Sequence, residues 1–247
     1  MKRKIAMIEL RVSPSSTGSW TKQGYEAIYS GHDEIRQLDS FYTWLLNLIE
    51  AVPGRRLLDV ACGVGVLPNK AAEIGLEAYG VDMSEEAMRT ALGEGSAGFV
   101  IGNGESLPYP AGYFDYVTSI GSLEHYLDPF CGARELARVM VPHGRACILL
   151  PNLFSILGTV YNALKHGRTV GDNQPLQRYA ALKDWQDLLE QGGFIVERVV
   201  KYERERPRSL RDLSWYLRHP KPLVRLLLTP FIPLNWASCF VYLCRKR

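Results

Sequence analysis

The residues that could do chemistry begin with a turn of small residues that follows an acidic side chain. Asp59 lies near the end of an apolar, β-prone run, and Ala61, Gly63 and Gly65 follow at alternate positions before a helix-compatible segment. Small residues let a backbone pass close to a ligand without a Cβ clash. A strand that feeds such a turn, with a helix behind it, is how doubly wound folds build a nucleoside site. The alternative is a turn that only packs tightly.

The turn departs from the patterns that bind phosphate groups. A dinucleotide-binding turn has a third glycine three residues after the second, and Pro68 holds that position here. No Gly-Lys-Ser sequence follows the turn either. These departures favour a nucleoside cofactor that carries no phosphate.

Polar candidates follow the next two predicted strands. Asp82 comes about twenty residues after the glycines, where an acidic side chain accepts hydrogen bonds from ribose hydroxyls; it could also serve as an acid at a helix N-terminus. Met83 could pack on an adenine face or fill the core. Asn103 could read an adenine edge, or it could start an ordinary Asn-Gly turn.

His125 is the candidate general base. It follows the fourth predicted strand and faces the expected cleft. An imidazole in that place could take a proton from a nucleophile, which a hydroxyl acceptor would require. The same residue could instead orient its loop or cap the next helix.

An alternation of short strands and helices positions these residues. Helical spacing predicts helices over 21–50, 68–74, 85–92, 131–140 and 182–191. Short apolar runs predict seven strands, at 56–60, 78–81, 98–101, 114–120, 145–150, 194–200 and 238–243. This alternation predicts an α/β fold with a parallel sheet that helices cover on both faces.

The bulk composition is that of one globular domain. The 247 residues, 47% of them hydrophobic, are enough to bury a sizeable core. We expect a loose leader at 1–20 and a single domain at 21–247, with lid insertions near 152–179 and 201–237. The net charge of +3 gives no reason to expect a nucleic-acid partner. The five cysteines form no C-x-x-C pair, which fits a cytoplasmic protein without a metal site.

The second insertion combines basic and apolar residues. Basic residues outnumber acidic ones by about three to one over 198–225, and an apolar run follows over 226–234. This pattern favours either peripheral contact with the inner face of a membrane or a lid whose apolar side covers an acceptor. A membrane-spanning helix would fit 226–244 by length, but Pro230 and Pro233 argue against it.

Four motifs in order make the chain resemble the class I S-adenosylmethionine-dependent methyltransferases, in particular the type 11-like subgroup of small-molecule and lipid-quinone methyltransferases. The motifs lie at 57–65, 80–84, 103–109 and 123–129, and 135–144 adds the turn before the fifth strand. The resemblance runs from about residue 21 to residue 200. It implies a Rossmann-like, seven-stranded, mostly parallel sheet with an antiparallel last strand and helical lid insertions.

The resemblance also implies S-adenosyl-L-methionine as the cofactor and assigns its contacts by position. Asp59 would steady the turn near the methionine amino group, Asp82 would bind the ribose hydroxyls, and Ser119 would line the methionine end. Tyr29 would help to cover the cofactor. The full set implied for cofactor binding is Tyr25, Asp59, Ala61, Gly63, Gly65, Asp82, Met83, Asn103, Gly104, Glu105 and Ser119.

The activity implied is methyl transfer to a small-molecule or lipid-linked acceptor, at oxygen, for which His125 could serve as the base; the Leu-Glu-His stretch is common in the family whatever the substrate and does not fix the reaction. A sulfonium methyl group is already activated, so the enzyme mainly aligns donor and nucleophile, and neither a metal nor a covalent intermediate is required. Ala61 stands where the family often has Gly, and Asn103 where Asp is usual. A catalytically silent cofactor-binding or scaffold protein is the alternative; the missing third glycine argues against a nicotinamide-dependent oxidoreductase.

Overall fold

A computed structural model of the chain describes residues 5–11, 24, 37–93, 95–168 and 174–247. The strands of its main sheet are β2 (Arg56–Val60), β3 (Glu77–Asp82), β4 (Gly98–Ile101), β5 (Phe114–Ile120), β6 (Met140–Pro151), β8 (Phe194–Tyr202) and β9 (Cys239–Lys246). These seven strands lie in the order β4-β3-β2-β5-β6-β9-β8. All seven predicted strands are therefore observed.

Strand direction places the candidate site residues at one edge of the sheet. β2 is parallel to β3 and β5, and the parallel pairing continues to β4 and β6. β9 runs antiparallel between β6 and β8, which confirms the mostly parallel sheet with an antiparallel last strand. The carboxyl ends of the parallel strands and the amino end of β9 thus share one edge, here called the carboxyl edge, where open α/β sheets bind ligands.

Helices cover both faces of the sheet. Leu58 and Val60 of β2 pack in one buried cluster that includes Trp185, whereas Leu57 packs on the other face with Leu45 and Leu67. Successive residues of a strand point to opposite faces, so the continuous apolar run in β2 fits a strand buried on both sides. The helices are α1 (Asp39–Leu48), α2 (Val66–Glu73), α3 (Glu85–Leu92), α4 (Pro129–Val139), α5 (Thr159–His166), α6 (Leu182–Gln191), α7 (Leu210–Arg218) and α8 (Pro220–Leu228).

Three details differ from the sequence-based expectations. A two-stranded antiparallel sheet joins β1 (Ile8–Arg11), inside the expected leader, to β7 (Leu176–Tyr179), inside the first insertion. Within the helix expected over 21–50, residue 24 is helical and residues 37 and 38 are not, and α1 begins at Asp39. β6 starts at Met140 and runs through the expected turn at 142–144, where His143 has a φ of 60°. The boundaries of leader and domain stay a prediction.

The two insertions are bonded to each other at the carboxyl edge. The Asn152 side-chain amide donates to the carbonyls of Asn235 (2.8 Å) and Ala237 (2.7 Å). The Arg225 guanidinium donates to the Leu157 carbonyl at 2.6 Å. The insertions therefore form one layer. Within the described ranges, no helix is both long and apolar enough to cross a bilayer.

Candidate active site

The turn after β2 takes a left-handed backbone at alternate residues. The φ angles are 59° at Ala61, 53° at Gly63 and 77° at Gly65. The amide of Cys62 donates to the Val81 carbonyl at 3.1 Å, which ties the turn to β3. Glycine takes this conformation freely, whereas a left-handed residue with a Cβ costs about 1–2 kcal/mol. Ala61 therefore holds strain that glycine would not.

Gly65 is required by packing inside the protein. A Cβ on Gly65 would lie 2.6 Å from Phe99 Cζ and 2.9 Å from the Cβ of Ala91. The absent side chain lets the start of α2 lie directly against β4 and α3. In a dinucleotide-binding turn, the third glycine allows the helix to pack closely on the strand. In this protein Gly65 allows that packing, and no third glycine is needed.

Asp82 holds the turn and the next helix together. Its two carboxylate oxygens accept the backbone N–H of Gly63 at 2.8 Å and that of Ser84 at 2.9 Å. Ser84 caps α3, since its Oγ accepts the N–H of Ala87 at 3.2 Å. The carboxylate is therefore fixed at the carboxyl edge, between the turn and the N-terminus of α3. Both interpretations of Asp82 made from the sequence, ligand contact and helix N-terminal acid, fit this position.

Asp59 is a buried carboxyl group beside a second one. Thr118 Oγ1 donates to Asp59 Oδ1 at 2.6 Å. Burial raises the pKa of Asp59 to about 7; the Thr118 hydrogen bond opposes the rise, and the negative charge of Asp82 adds to it. Burial, followed by the charges of Asp59 and Asp82, also raises the pKa of the Cys62 thiol. The floor of the turn therefore has a negative potential.

The two buried acidic side chains suit a cationic nucleoside. S-adenosylmethionine carries a sulfonium and an ammonium group, which a pair of buried carboxylates stabilises, and its ribose hydroxyls can donate to Asp82. Phosphate groups would be repelled by the same pair, and residues 61–66 contain no Lys or Arg to offset this. The left-handed turn, Asp59 and Asp82 fit the cofactor that the resemblance implies.

The residues of the loop after β4 form hydrogen bonds and packing contacts within the protein. Asn103 Oδ1 accepts the N–H of Glu105 at 2.9 Å, the geometry of an Asx turn. Glu105 Oε1 accepts the N–H of Asp128 at 2.7 Å. A Cβ on Gly104 would lie 2.0 Å from the Tyr126 hydroxyl, so this glycine makes room for the Tyr126 ring. Each of the three predicted ligands thus has a structural role in the fold as well.

The remaining predicted cofactor residues have the following places. Ser119 Oγ lies 2.7 Å from Ser122 Oγ, at the end of β5, and both are buried. Met83 is half-buried just after β3. Tyr25 and Tyr29 lie outside the described residues.

His125 is held by a backbone carbonyl and lies beside a carboxylate. It ends a 3₁₀ turn over Leu123–His125, its Nδ1 lies 2.6 Å from the Leu176 carbonyl, and its Nε2 lies 3.8 Å from Glu124 Oε1. Because a carbonyl only accepts, Nδ1 carries the proton, and Nε2 is the acceptor nitrogen of the neutral ring. The Glu124 carboxylate, only 4% exposed, would stabilise the imidazolium formed by proton uptake.

Arg178 is a functional candidate that the sequence interpretation missed. Its guanidinium donates to the carbonyls of Glu124, Tyr126 and Leu127, which surround His125. It also pairs with Glu9 of β1 at 2.7 Å. Burial lowers the pKa of Arg178, and the charge of Glu9 opposes that shift. Its strand, β7, is Leu-Gln-Arg-Tyr, which gives no local signal, and its partners come from distant segments.

Metal binding has no support in the geometry of the described ranges, which bring together no group of three or more His, Cys, Asp or Glu side chains able to hold an ion.

Known proteins share this arrangement in sequence and in fold. A family model described as a methyltransferase domain matches residues 58–148, the span from β2 into β6. The chain is 32% identical over 130 residues to a ubiquinone biosynthesis O-methyltransferase of Bordetella avium, a match that covers 48% of this chain and 54% of that protein. It is 32% identical over 119 residues to ajmaline N-methyltransferase of Rauvolfia serpentina, which covers 45% and 40%.

The chain therefore matches only about half the length of these curated relatives. Among solved structures, an S-adenosylmethionine-dependent methyltransferase from Mesorhizobium loti superposes with a TM-score of 0.63 at 16% identity, over 84% of this chain and 98% of that one. At that identity the likeness shows the fold alone. With the matched domain, the four ordered motifs and the observed strand order, the chain is similar to the class I S-adenosylmethionine-dependent methyltransferases, in sequence over residues 58–148 and in fold.

Proposed function

We propose that this protein transfers the methyl group of S-adenosylmethionine to a small-molecule or lipid-linked acceptor, at an oxygen atom. The observation that carries the proposal is the buried pair Asp59 and Asp82 beneath a left-handed turn, a negative cradle for a cationic nucleoside. When bound, the cofactor supplies an activated sulfonium methyl group. The two named relatives, an O- and an N-methyltransferase, support methyl transfer and leave the acceptor atom to be argued from His125.

Different residues of this chain would bind the cofactor and transfer the proton. Asp82 would accept from ribose hydroxyls, and Asp59 would stabilise the positive end of the cofactor. His125 Nε2 would take the proton of an acceptor hydroxyl as the oxygen becomes a nucleophile. Glu124 would stabilise the resulting imidazolium. This arrangement favours oxygen, because an amine acceptor that is already neutral needs no base before attack.

Transfer of an isotopically labelled methyl group tests the proposal. The full chain is incubated with labelled donor and a native metabolite and lipid extract, and products are found by mass spectrometry. We expect a labelled methyl ether or ester. His125→Asn should lower kcat by about 10²–10⁴-fold and leave cofactor affinity unchanged. Cofactor binding without any labelled product would instead indicate the catalytically silent alternative, and a labelled amine would overturn transfer to oxygen.

We also propose peripheral contact with a membrane surface through residues 201–237. The exposed basic and apolar side chains of this segment support it. A lipid-linked acceptor would then be met at the surface of the bilayer.

A further inference from the structure

The second insertion turns its apolar residues outward. On α7, Leu210, Leu213 and Leu217 are 86%, 45% and 68% exposed, at the spacing of one helical stripe. On the opposite side of α7, Asp212 and Tyr216 are buried. The Tyr216 hydroxyl donates to the Glu205 carbonyl at 2.7 Å, which anchors that side to the protein body. The apolar stripe of α7 therefore faces away from the sheet.

A second outward stripe continues from α8 into the turn that follows it. Val224, Leu227 and Phe231 are 53%, 63% and 81% exposed, and none of the residues of α8 is buried. Trp236, in the next 3₁₀ turn, is 52% exposed. A lid that covered an acceptor with its apolar side would bury these residues. Their outward direction is what an interfacial amphipathic helix shows.

On this segment the acidic side chains are buried and most of the basic side chains are exposed. Its three acidic residues, Glu203, Glu205 and Asp212, are 3%, 3% and 4% exposed. The exposed charged side chains are all basic, and they are Arg206, Arg208, Arg211, Arg218 and Lys221. Arg211 and Arg218 lie seven residues apart, so they flank the apolar stripe of α7 on one side. This surface presents only positive charge to a partner.

The first insertion extends the same character. α5 exposes Leu164 (84%) and Tyr161 (50%), and residues 152–168 contain no acidic residue. The bond from Arg225 to the Leu157 carbonyl joins this insertion to α8. Apolar side chains on three helices with basic neighbours thus share one layer at the carboxyl edge.

We propose that α7, α8 and the turns at Thr229–Phe231 and Leu234–Trp236 form a docking face for an anionic lipid bilayer, here called the basic–apolar face. Phospholipid headgroups would pair with Arg206, Arg211 and Arg218, and Leu217, Leu227 and Phe231 would enter the boundary between headgroups and acyl chains. The proposal names the partner surface for the lipid-linked acceptor of the proposed function, yet docking itself does not require methyl transfer. The face lies at the carboxyl edge, so a docked protein would hold its candidate site beside the bilayer.

Co-sedimentation with vesicles tests the face with two sets of substitutions. The full chain is mixed with vesicles of phosphatidylcholine alone or of phosphatidylcholine with phosphatidylglycerol, at low and high salt. The basic variant carries Arg206→Ser, Arg211→Ser and Arg218→Ser. Its matched control carries the same change at exposed basic residues on other helices, Arg89, Arg134 and Lys183.

The apolar variant carries Leu217→Ser, Leu227→Ser and Phe231→Ser. Its matched control replaces the exposed Ile74, Leu92 and Ile101 by Ser. Binding of S-adenosylmethionine in solution, measured on every variant, shows that each one is folded. It also separates failure of docking from failure of the proposed cofactor site.

We expect the wild type to bind anionic vesicles, more weakly at high salt and least to phosphatidylcholine alone. The basic variant should lose about 100-fold in partition coefficient, because each basic residue near an anionic surface contributes about a factor of five. The apolar variant should lose as much or more, and both controls should bind like the wild type. Wild type left in the supernatant at low salt would overturn the proposal. So would equal losses in variants and controls, or a wild-type dimer that the apolar variant converts to monomer.

Discussion

Replacing Asp59 by Asn should make the protein more stable at high pH while weakening cofactor binding. The Asp59 carboxyl is buried and its pKa is raised to about 7, from 3.8 in an unfolded chain. The folded state therefore holds a proton that the unfolded state releases at a lower pH. Stability from this group is fully present below pH 4 and is lost as the pH rises toward and beyond 7.

The magnitude follows from the difference between the two pKa values. Each unit corresponds to about 1.4 kcal/mol, so full ionisation of Asp59 costs the folded state about 4 kcal/mol as an upper bound. Between pH 5 and pH 8, the wild type should lose about 2–3 kcal/mol of unfolding free energy relative to Asp59→Asn. The amide can still accept from Thr118 through Oδ1, so the hydrogen bond at 2.6 Å does not have to be lost.

The assay is urea unfolding of both proteins, without cofactor, at a series of pH values from 5 to 8. Subtraction of the two profiles isolates Asp59, because all other groups titrate in both proteins. Glu86→Gln, which removes an exposed carboxylate from α3, is the control for net charge. Parallel profiles for the wild type and Asp59→Asn would refute a buried, proton-binding Asp59.

The same carboxyl should couple cofactor binding to pH. A cationic ligand binds the ionised form better, so the affinity of the wild type should fall about tenfold between pH 8 and pH 6. Asp59→Asn should bind weakly at both values. Calorimetry in buffers of different ionisation enthalpy measures the protons released on binding, and release of none near pH 7 would contradict the coupling.

Three further substitutions test single contacts. Ala61→Gly should raise the unfolding free energy by up to about 1 kcal/mol, since it relieves a left-handed φ; a loss in urea melts would argue against strain there. Gly104→Ala should cost about 2–3 kcal/mol, because its Cβ would lie 2.0 Å from the Tyr126 hydroxyl, whereas Gly93→Ala, 3.4 Å from its nearest neighbour, should change the same melts little. Arg178→Met should lower kcat and leave S-adenosylmethionine affinity intact, and an equal loss in both would refute a role confined to the His125 loop.

The local pattern of the sequence predicts the main sheet well. β2, β5 and the second half of β6 are apolar runs bounded by turn residues, and burial on both faces leaves little else for such runs to form. The carboxyl ends of parallel strands share an edge by necessity, so the placement of Asp59, Asp82, Ser119 and His125 at that edge follows from strand order alone.

Local pattern could not predict contacts between distant segments. β1 and β7 are four residues each; β1 alternates apolar and polar residues over only two periods, and β7 does not alternate at all. Their pairing brings Glu9 to Arg178 and Arg178 to the loop of His125, which depends on tertiary packing. A turn at Asn103 was one of two interpretations that the sequence left open, because the residue types that read a nucleoside also satisfy turns, whereas the bond of Glu105 to Asp128 depends on tertiary packing.

Equilibrium binding of S-adenosylmethionine to the full chain shows whether the turn after β2 and Asp82 form a cofactor site. Calorimetry at pH 8 should show a single site with a dissociation constant in the micromolar range, about −8 kcal/mol. Asp82→Ala should abolish the binding heat while the protein stays folded by circular dichroism. A wild-type chain that gives no binding heat, or an Asp82→Ala variant that binds as tightly as the wild type, would rule out a cofactor site at the carboxyl edge.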